Sequence, residues 1–230
     1  MLIDLEGIDG SGKGTQARCL CDRFLQAGVS ATVVSFPRYG QTLFGRAVGE
    51  FLNGRFGSLN QVHPFLVSLL FAGDRFESKE FLLRAMARHS VVVLDRYVPS
   101  NVAHQASKVD GPERAELQRQ IFEIEFEIFG LPRPDVVLLL DVPVPVARRL
   151  IAQKTARNYT TAKADIQEAD AGYLERVREV YHDLACAKPA WQTIACCDGD
   201  RLRSVDEVTE IIWQTVGKMN SAQGTRTCRS

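Results

Sequence analysis

A glycine-rich stretch near the start of the chain constrains its fold most. The sequence GIDGSGKGTQ, residues 7–16, directly follows the apolar run LIDLE at 2–6 and opens a segment with helical spacing over 13–27. A strand that turns through glycines into a helix points its N–H groups at one spot, where they bind phosphate oxygens. Lys13 stands where a lysine reaches the β and γ phosphates of a nucleotide. We therefore predict a phosphate-binding loop in preference to a simple tight turn.

The residue after this lysine departs from the usual pattern. That pattern has Ser or Thr to hold Mg²⁺, whereas this chain has Gly14, with the hydroxyl of Thr15 one position later. The form GKGTQ resembles nucleoside-monophosphate kinases more than GTPases, and the sequence has no NKxD guanine motif. The residues predicted to bind the ATP phosphates are Gly7, Gly10, Ser11, Gly12, Lys13, Gly14 and Thr15.

Strand and helix patterns alternate along the chain. The predicted strands are 2–6, 30–36, 90–95, 135–141 and 192–197, and the predicted helices include 13–27, 41–53, 64–88, 173–186 and 204–217. The middle strands are nearly continuous Val and Leu, which indicates a parallel sheet covered by helices on both faces. The sequence therefore predicts one doubly wound α/β domain over 1–218. The polar tail, 219–230, is expected to be disordered.

One segment allows two interpretations. FEIEFEIF, residues 122–129, alternates apolar and acidic residues like a half-buried strand, but its apolar residues also recur at helical spacing. Pro112 and a run of helix formers lie upstream, and Gly130 follows. We predict a helix on that ground.

Composition excludes several classes of protein. The 230 residues include 28 acidic and 28 basic side chains, so no net field gathers nucleic acid. No apolar run approaches the length of a membrane span, and the N-terminus lacks the pattern of a secretory leader. The six cysteines match no zinc spacing and are expected to be reduced thiols of a cytoplasmic protein.

Charged and aromatic residues cluster near predicted strand ends. Arg38, in FPRYG after the second strand, can point its planar guanidinium at an anion. Asp95 ends the third strand, where a carboxylate can help to hold Mg²⁺, and Arg96 follows it. Phe71 and Arg75 share a helix face, which suits a stacked base, although a core Phe with a surface Arg is an alternative. The polar segment 152–165 suits a lid, although a solvated loop is an alternative.

The ordered set of motifs resembles the thymidylate kinase family, the P-loop kinases of dTMP. The matching pieces are GIDGSGKGTQ, FPRYG, LLFAGDRFE, LDRYVPSNVAHQ, PRPDVVLLLDVP and YLERVREVY, and they cover roughly 2–217. The resemblance implies the nucleoside-monophosphate kinase fold, a five-stranded parallel sheet of order 2-3-1-4-5 flanked by helices. It also implies transfer of phosphate from ATP to dTMP with Mg²⁺, and a homodimer.

The resemblance carries roles to individual positions. It implies that Asp9 contacts the acceptor's sugar and phosphate, that Arg38 holds the acceptor phosphate and that Arg96 bridges the phosphates. Phe71 would stack on thymine, and Arg75 would hydrogen-bond its edge. The remaining residues expected to bind dTMP are Ser100, Asn101, Gln105 and Tyr159, and those expected to hold Mg²⁺, in part through water, are Thr15 and Asp95.

Two features set this chain apart within the resemblance. The loop has Gly10 and Ser11 where some members carry a basic residue, so Lys154 and Arg157 in the lid are expected to supply the extra catalytic cation. His104 stands where many members place Tyr or Phe against the deoxyribose 2′ position, which leaves sugar discrimination open. The alternatives to a dTMP kinase are another nucleoside- or deoxynucleoside-monophosphate kinase and a nucleotide-binding regulator without turnover.

Overall fold

The computed structural model describes residues 1–58, 61–153 and 171–224. Its central sheet is parallel, with the order β2-β3-β1-β4-β5, which confirms the predicted fold class. The bounds of each strand lie within two residues of those predicted: β1 Leu2–Glu6, β2 Ala31–Ser35, β3 Val91–Asp95, β4 Val136–Asp141 and β5 Trp191–Ala195. β1 and β3 are buried almost throughout, as the apolar runs predicted.

Helices cover both faces of the sheet. They are α1 Lys13–Gln26, α2 Leu43–Leu52, α3 Pro64–Glu77, α4 Lys79–Arg88, α5 Val98–Ala106, α6 Gly111–Phe122, α7 Val144–Ala152, α8 Ala171–Ala187 and α9 Val205–Gly224. The predicted helix 64–88 is divided at Ser78, which caps α3 and precedes α4. The described structure adds a short hairpin, β6 Cys197–Asp198 and β7 Arg201–Leu202, that the pattern did not indicate.

The ambiguous segment is helical. α6 continues without a break into a π-helical stretch, Glu123–Ile128, so the helix prediction is confirmed and the strand alternative is wrong. The wider π-helical turn changes which side chains point inward. As a result the acidic Glu125 is completely buried, while the apolar Ile128 is 69% exposed.

Two predicted segments, the tail and the lid, lie partly or wholly outside the described residues. α9 runs to Gly224 and so takes in the first part of the segment assigned to a disordered tail; residues 225–230 lie outside the described residues. Lys154, Arg157 and Tyr159 of the predicted lid also lie outside them.

The described cysteines are all free thiols, as expected. Among the described helices, none is both long and apolar enough to span a membrane.

The topology gathers the predicted motifs at one edge. β1 lies between β3 and β4, so the loop after β1, the end of β3 and the start of α5 meet at the carboxyl ends of the strands. Ligands of open α/β sheets bind at this edge. The core beneath it is made mainly of Val, Leu and Ile from the strands and the inner helix faces, which gives the site a rigid floor.

Candidate active site

The glycine-rich loop has the backbone of a phosphate-binding turn. Gly7, Gly10 and Gly12 all adopt positive φ, and α1 begins directly afterwards at Lys13. A Cβ on Gly10 would lie 2.4 Å from the carbonyl oxygen of Ala147, so no other residue fits there. The loop therefore presents its N–H groups and the positive end of α1 to the cavity described below.

Lys13 is held by the loop itself. Its Nζ donates to the carbonyl oxygens of Gly7 at 2.8 Å and Ile8 at 2.7 Å, and to Ser11 Oγ at 3.3 Å. Burial lowers the pKa of Lys13 to about 7, and nearby Arg96 contributes to this shift. An incoming phosphate would supply the negative charge that this buried ammonium lacks.

The glycine at position 14 makes room for a carboxylate. A Cβ built on Gly14 would lie 2.8 Å from Asp95 Oδ2, so a Ser or Thr there would collide with it. Asp95 and Thr15 both line the cavity. Within the described ranges no group of three or more His, Cys, Asp or Glu forms a metal cage. One carboxylate and one hydroxyl, completed by phosphates and water, fit Mg²⁺, which keeps much of its water shell.

Arg96 links the end of β3 to the phosphate loop. Its Nη2 donates to Asp9 Oδ1, and its Nη1 lies 3.4 Å from Ser100 Oγ. The backbone of Arg96 has φ 70°, the left-handed region that side chains other than glycine rarely adopt. This backbone conformation at the strand end accompanies a guanidinium directed into the cavity.

Glu6 supports this arrangement from below and was not identified from the sequence. Its Oε1 accepts hydrogen bonds from the backbone N–H groups of Tyr97 at 2.8 Å and Ser100 at 3.1 Å. Its Oε2 accepts from Ser100 Oγ at 2.6 Å and Tyr181 Oη at 2.7 Å. One buried carboxylate thus satisfies donors at the N-terminus of α5 and fixes the direction in which that helix leaves β3.

Another part of the cavity wall is formed by α3 and α5, which the π-helical stretch supports from behind. Phe71 and Arg75 both line it, with Phe71 partly exposed and Arg75 only 2% exposed. Arg75 is held by Glu125, and Glu125 also accepts from Asn101 Nδ2 at 2.8 Å. Asn101 Nδ2 donates as well to the carbonyl oxygen of Ser68 at 3.0 Å. Because both neighbours of Nδ2 are acceptors, the amide has one orientation, with Oδ1 left over.

Buried polar atoms without partners occur on the cavity side of α5. Among the described residues, Asn101 Oδ1, His104 Nε2 and Gln105 Nε2 are buried and have no hydrogen-bond partner. All three residues line the cavity. Buried polar atoms in native proteins nearly always have partners. Their grouping here therefore indicates that a polar ligand completes the site.

His104 is neutral and its tautomer can be assigned. Burial lowers its pKa to about 3. Its Nδ1 lies 2.9 Å from Tyr173 Oη, and that hydroxyl donates to the His104 carbonyl oxygen at 3.0 Å. The hydroxyl has one proton, so both contacts are hydrogen bonds only if Nδ1 carries the imidazole proton. The orphaned Nε2 is then an acceptor.

These elements enclose one cavity of about 470 Å³. It brings together most of the residues predicted to form the site: Asp9, Gly10, Gly12, Lys13, Gly14, Thr15, Phe71, Arg75, Asp95, Arg96, Ser100, Asn101 and Gln105. Gly7 and Ser11 are not part of its lining, but both bond to Lys13. The side-chain roles of these residues towards nucleotides stay predictions.

Arg38 does not line the cavity. Its guanidinium carbon lies 4.0 Å from the centre of the Phe81 ring, and its nitrogens bond Gln41 Oε1 and Ser78 Oγ. Its neighbours Pro37 and Tyr39 do line the cavity. A contact between Arg38 and an acceptor phosphate therefore requires the side chain to turn from Phe81 to the cavity.

Arg18 lines the cavity although the sequence analysis did not single it out. It lies one helical turn after Gly14, and its Nη1 is 3.7 Å from a Cβ built on that glycine. Side chains four residues apart share a helix face, so the spacing from Gly14 was the available signal. A cation thus lies beside the phosphate loop within the described residues, in addition to those expected in the lid.

Comparisons with known proteins agree with this geometry. The family model for thymidylate kinase matches residues 5–201. The thymidylate kinase of Mycobacterium tuberculosis is 35% identical over 185 residues, which cover 80% of this chain and 86% of that protein. The thymidylate kinase of Thermomicrobium roseum is 32% identical over 93% of each chain.

A solved structure shares the fold. The thymidylate kinase of Candida albicans superposes with a TM-score of 0.69 at 21% identity, over 95% of this chain and 92% of that one. The family match spans most of the chain, and a relative that is 32% identical is covered over 93% of its length. This chain therefore belongs to the thymidylate kinase family.

Proposed function

We propose that this chain transfers the γ-phosphoryl group of ATP to dTMP, forming ADP and dTDP. The observation that carries the proposal is the set of orphaned polar atoms beside a phosphate loop. The atoms line the same cavity as Lys13 and Arg96. A nucleotide spans the same two kinds of surface, a base with a fixed hydrogen-bonding edge and a phosphate.

The orphaned atoms complement the edge of thymine. That edge presents a carbonyl, an N–H and a second carbonyl in a row. Asn101 Oδ1 is an acceptor for the N–H, while Arg75 and Gln105 Nε2 are donors for the carbonyls. Cytosine has an unprotonated ring nitrogen at the central position, which would face Asn101 Oδ1 with two acceptors in contact. Phe71 lies on the same wall and can stack on the ring.

The phosphate end supplies positioning and positive charge. The acceptor phosphate oxygen is already anionic, so no strong base is needed, and catalysis depends on alignment and neutralisation. Lys13, the loop N–H groups and Arg96 can contact the phosphates, with Asp9 orienting Arg96. Thr15 and Asp95 would hold Mg²⁺, which spreads the charge of the transferring group. Lys154 and Arg157 would supply the remaining positive charge. Arg38 would add to it once its side chain has turned from Phe81 to the cavity.

Two further expectations are proposed here, the first from cysteine usage and the second from the family resemblance. The first is a cytoplasmic location. The second is a homodimer, which would cover apolar side chains exposed on α3 and the π-helical stretch, including Leu66 at 55% and Phe76 at 52%. Exposed apolar groups of this kind are compatible with an interface.

Measurement of ADP release with each nucleoside monophosphate in turn tests the proposal. We expect strong stimulation by dTMP, weak stimulation by dCMP and AMP, and a loss of several orders of magnitude in Lys13→Met with the fold retained. Stimulation by AMP alone would instead indicate another monophosphate kinase. Nucleotide binding without release of ADP would indicate a regulator.

A further inference from the structure

Lys108 lies behind the cavity and contacts the side chain of Gln105. We infer that it is a positioning residue that fixes the orientation of the Gln105 amide, so that this amide presents NH₂ rather than oxygen to the base. Lys108 would thereby make Gln105 a donor selective for a carbonyl of the pyrimidine. The inference rests on the proposed function and assigns a specificity role to a residue outside the cavity lining.

The geometry of the contact is direct. Lys108 Nζ donates to Gln105 Oε1 at 2.7 Å, across three residues at the end of α5. Gln105 is completely buried, and its Nε2 has no partner within the described ranges. Gln105 lines the cavity, whereas Lys108 does not. The lysine therefore acts on the outer atom of the amide and leaves the inner atom to a ligand.

The Lys108 ammonium determines the orientation of the Gln105 amide. Below its pKa of about 7, Lys108 is an ammonium with three donors and no acceptor, so at pH 6 it can face only the oxygen of the amide. If the amide were reversed, NH₂ would lie against the positive charge and the charge-assisted hydrogen bond would be lost. A glutamine without such a neighbour can present either atom, because its two ends have nearly the same shape.

The surroundings of Lys108 show no other partner of comparable strength. No carboxylate forms an ion pair with it among the described residues. Burial lowers its pKa to about 7, as expected for a lysine without a compensating anion. Its Nζ also lies 5.5 Å from the centre of the Phe51 ring, a weaker attraction. A partly buried ammonium is unfavourable, and among the described residues its hydrogen-bond acceptor is Gln105.

Asn101 and Gln105 then form a matched pair on one helix face. They lie four residues apart on α5, and their inward atoms are an acceptor and a donor. The imide of thymine or uracil offers the complementary N–H and carbonyl side by side. In this arrangement Glu125 fixes the first amide through Nδ2, and Lys108 fixes the second through Oε1.

A double-mutant cycle tests the inference. Lys108→Met keeps the length of the side chain and removes the donor, and Lys108→Arg keeps a donor. Gln105→Ala removes the amide. The matched control is Lys79→Met, because Lys79 Nζ also donates at 2.7 Å, but to the backbone oxygen of Phe129 outside the cavity. For each protein, kcat, KM for dTMP, KM for ATP and the thermal midpoint are measured in the full-length chain at pH 6, where Lys108 is mostly protonated.

We expect Lys108→Met to raise KM for dTMP about tenfold, the effect of one hydrogen bond, with kcat and KM for ATP nearly unchanged. Lys108→Arg should restore most of this loss. In the Gln105→Ala background, Lys108→Met should add no further increase.

Independent, multiplying effects of the two substitutions would overturn the inference, as would a Lys108→Met protein that changes only its thermal midpoint, like Lys79→Met. If the wild-type chain shows no ADP release with dTMP, the proposed function itself fails. Normal wild-type turnover with an unchanged KM in Lys108→Met overturns only the role of Lys108.

Discussion

Arg75 and Glu125 are joined by two parallel hydrogen bonds, from Nε to Oε2 at 2.5 Å and from Nη2 to Oε1 at 2.7 Å. Both side chains are buried, at 2% and 0% exposure. Because Glu125 also accepts from Asn101, one carboxylate orients two of the groups proposed to read the base. The contact joins α3 to the π-helical stretch across fifty residues of sequence.

Replacement of Glu125 by Gln should impair both stability and substrate binding. The buried guanidinium would lose its charged partner, so we expect the free energy of unfolding to fall by about 3 kcal/mol. KM for dTMP should rise more than KM for ATP, because Arg75 and Asn101 lose their common anchor. Urea unfolding and steady-state kinetics measure the two effects.

The control for that substitution is Glu127→Gln. Glu127 pairs with Arg133, but both side chains are about two-thirds exposed, so we expect a change of less than about 1 kcal/mol. Equal losses in the two variants would contradict a special role for the buried pair.

The sequence predicted the sheet better than it predicted the side-chain contacts. The parallel sheet and the edge that carries the cavity follow from chain alternation and the glycine turn, which are local signals, whereas the strand order was implied by the family resemblance. Arg75 was identified from its spacing to Phe71, but Glu125 was not, because the π-helical turn that buries it changes the usual helical register. Arg38 was assigned correctly to the strand end, yet its rotamer against Phe81 depends on α4, which no local pattern reveals.

The prediction that the lid supplies the extra positive charge shows the same limit of local sequence patterns. Absence of a basic residue at Gly10 or Ser11 directed attention to Lys154 and Arg157 in the lid. Gly14 lies one helical turn before Arg18 and has no side chain. The Arg18 guanidinium therefore has room to reach the cavity. That relation requires the packing of α1 against β3 to be known.

Replacement of Gly14 by a larger residue should displace Asp95 and thereby impair catalysis. In Gly14→Ala the new Cβ would lie 2.8 Å from Asp95 Oδ2, so the carboxylate must move from its place beside the loop. We expect the Mg²⁺ concentration for half-maximal rate to rise severalfold and kcat to fall at least about tenfold. Gly217→Ala in α9 is the control, since a Cβ there meets nothing within 4 Å. An unchanged Mg²⁺ requirement in Gly14→Ala would argue against Asp95 as a metal-binding group.

The backbone of Arg96 predicts an unusual order of stabilities. Arg96→Gly and Arg96→Ala both remove the guanidinium and its bond to Asp9, so both should lose most of the turnover. Both variants must adopt φ 70° at this position, which glycine does without strain and alanine at a cost of about 1 kcal/mol. Urea unfolding should therefore find Arg96→Gly the more stable variant. Equal stabilities would indicate that the backbone relaxes once the arginine is removed.

Asp4 predicts a pH dependence of stability. It lies in the middle of β1, completely buried, and neither carboxyl oxygen has a hydrogen-bond partner among the described residues. Burial, reinforced by nearby Glu6, raises its pKa well above the usual value. The folded state therefore holds a proton that the unfolded state has released, and the associated stability decreases as pH rises towards the folded-state pKa.

Asp4→Asn should remove the pH-dependent part of the stability that comes from Asp4. The stability of the variant relative to wild type should increase from pH 5 to pH 8, as measured by urea unfolding at each pH. Because the charge of Glu6 contributes to the raised pKa of Asp4, the comparison reports the titration of the two neighbouring carboxyl groups together. A difference that stays constant with pH would show that Asp4 titrates normally.

Lys13 predicts that ATP binding takes up a proton. Without phosphate its pKa is about 7, so at pH 8.5 the amine is mostly neutral. Bound phosphates favour the charged form and return the pKa towards its usual range. We expect uptake approaching one proton per ATP at pH 8.5, measured by calorimetry in buffers of different ionisation enthalpy. Lys13→Arg is the control, because a guanidinium stays protonated throughout. Equal uptake by the two proteins would place the titrating group elsewhere.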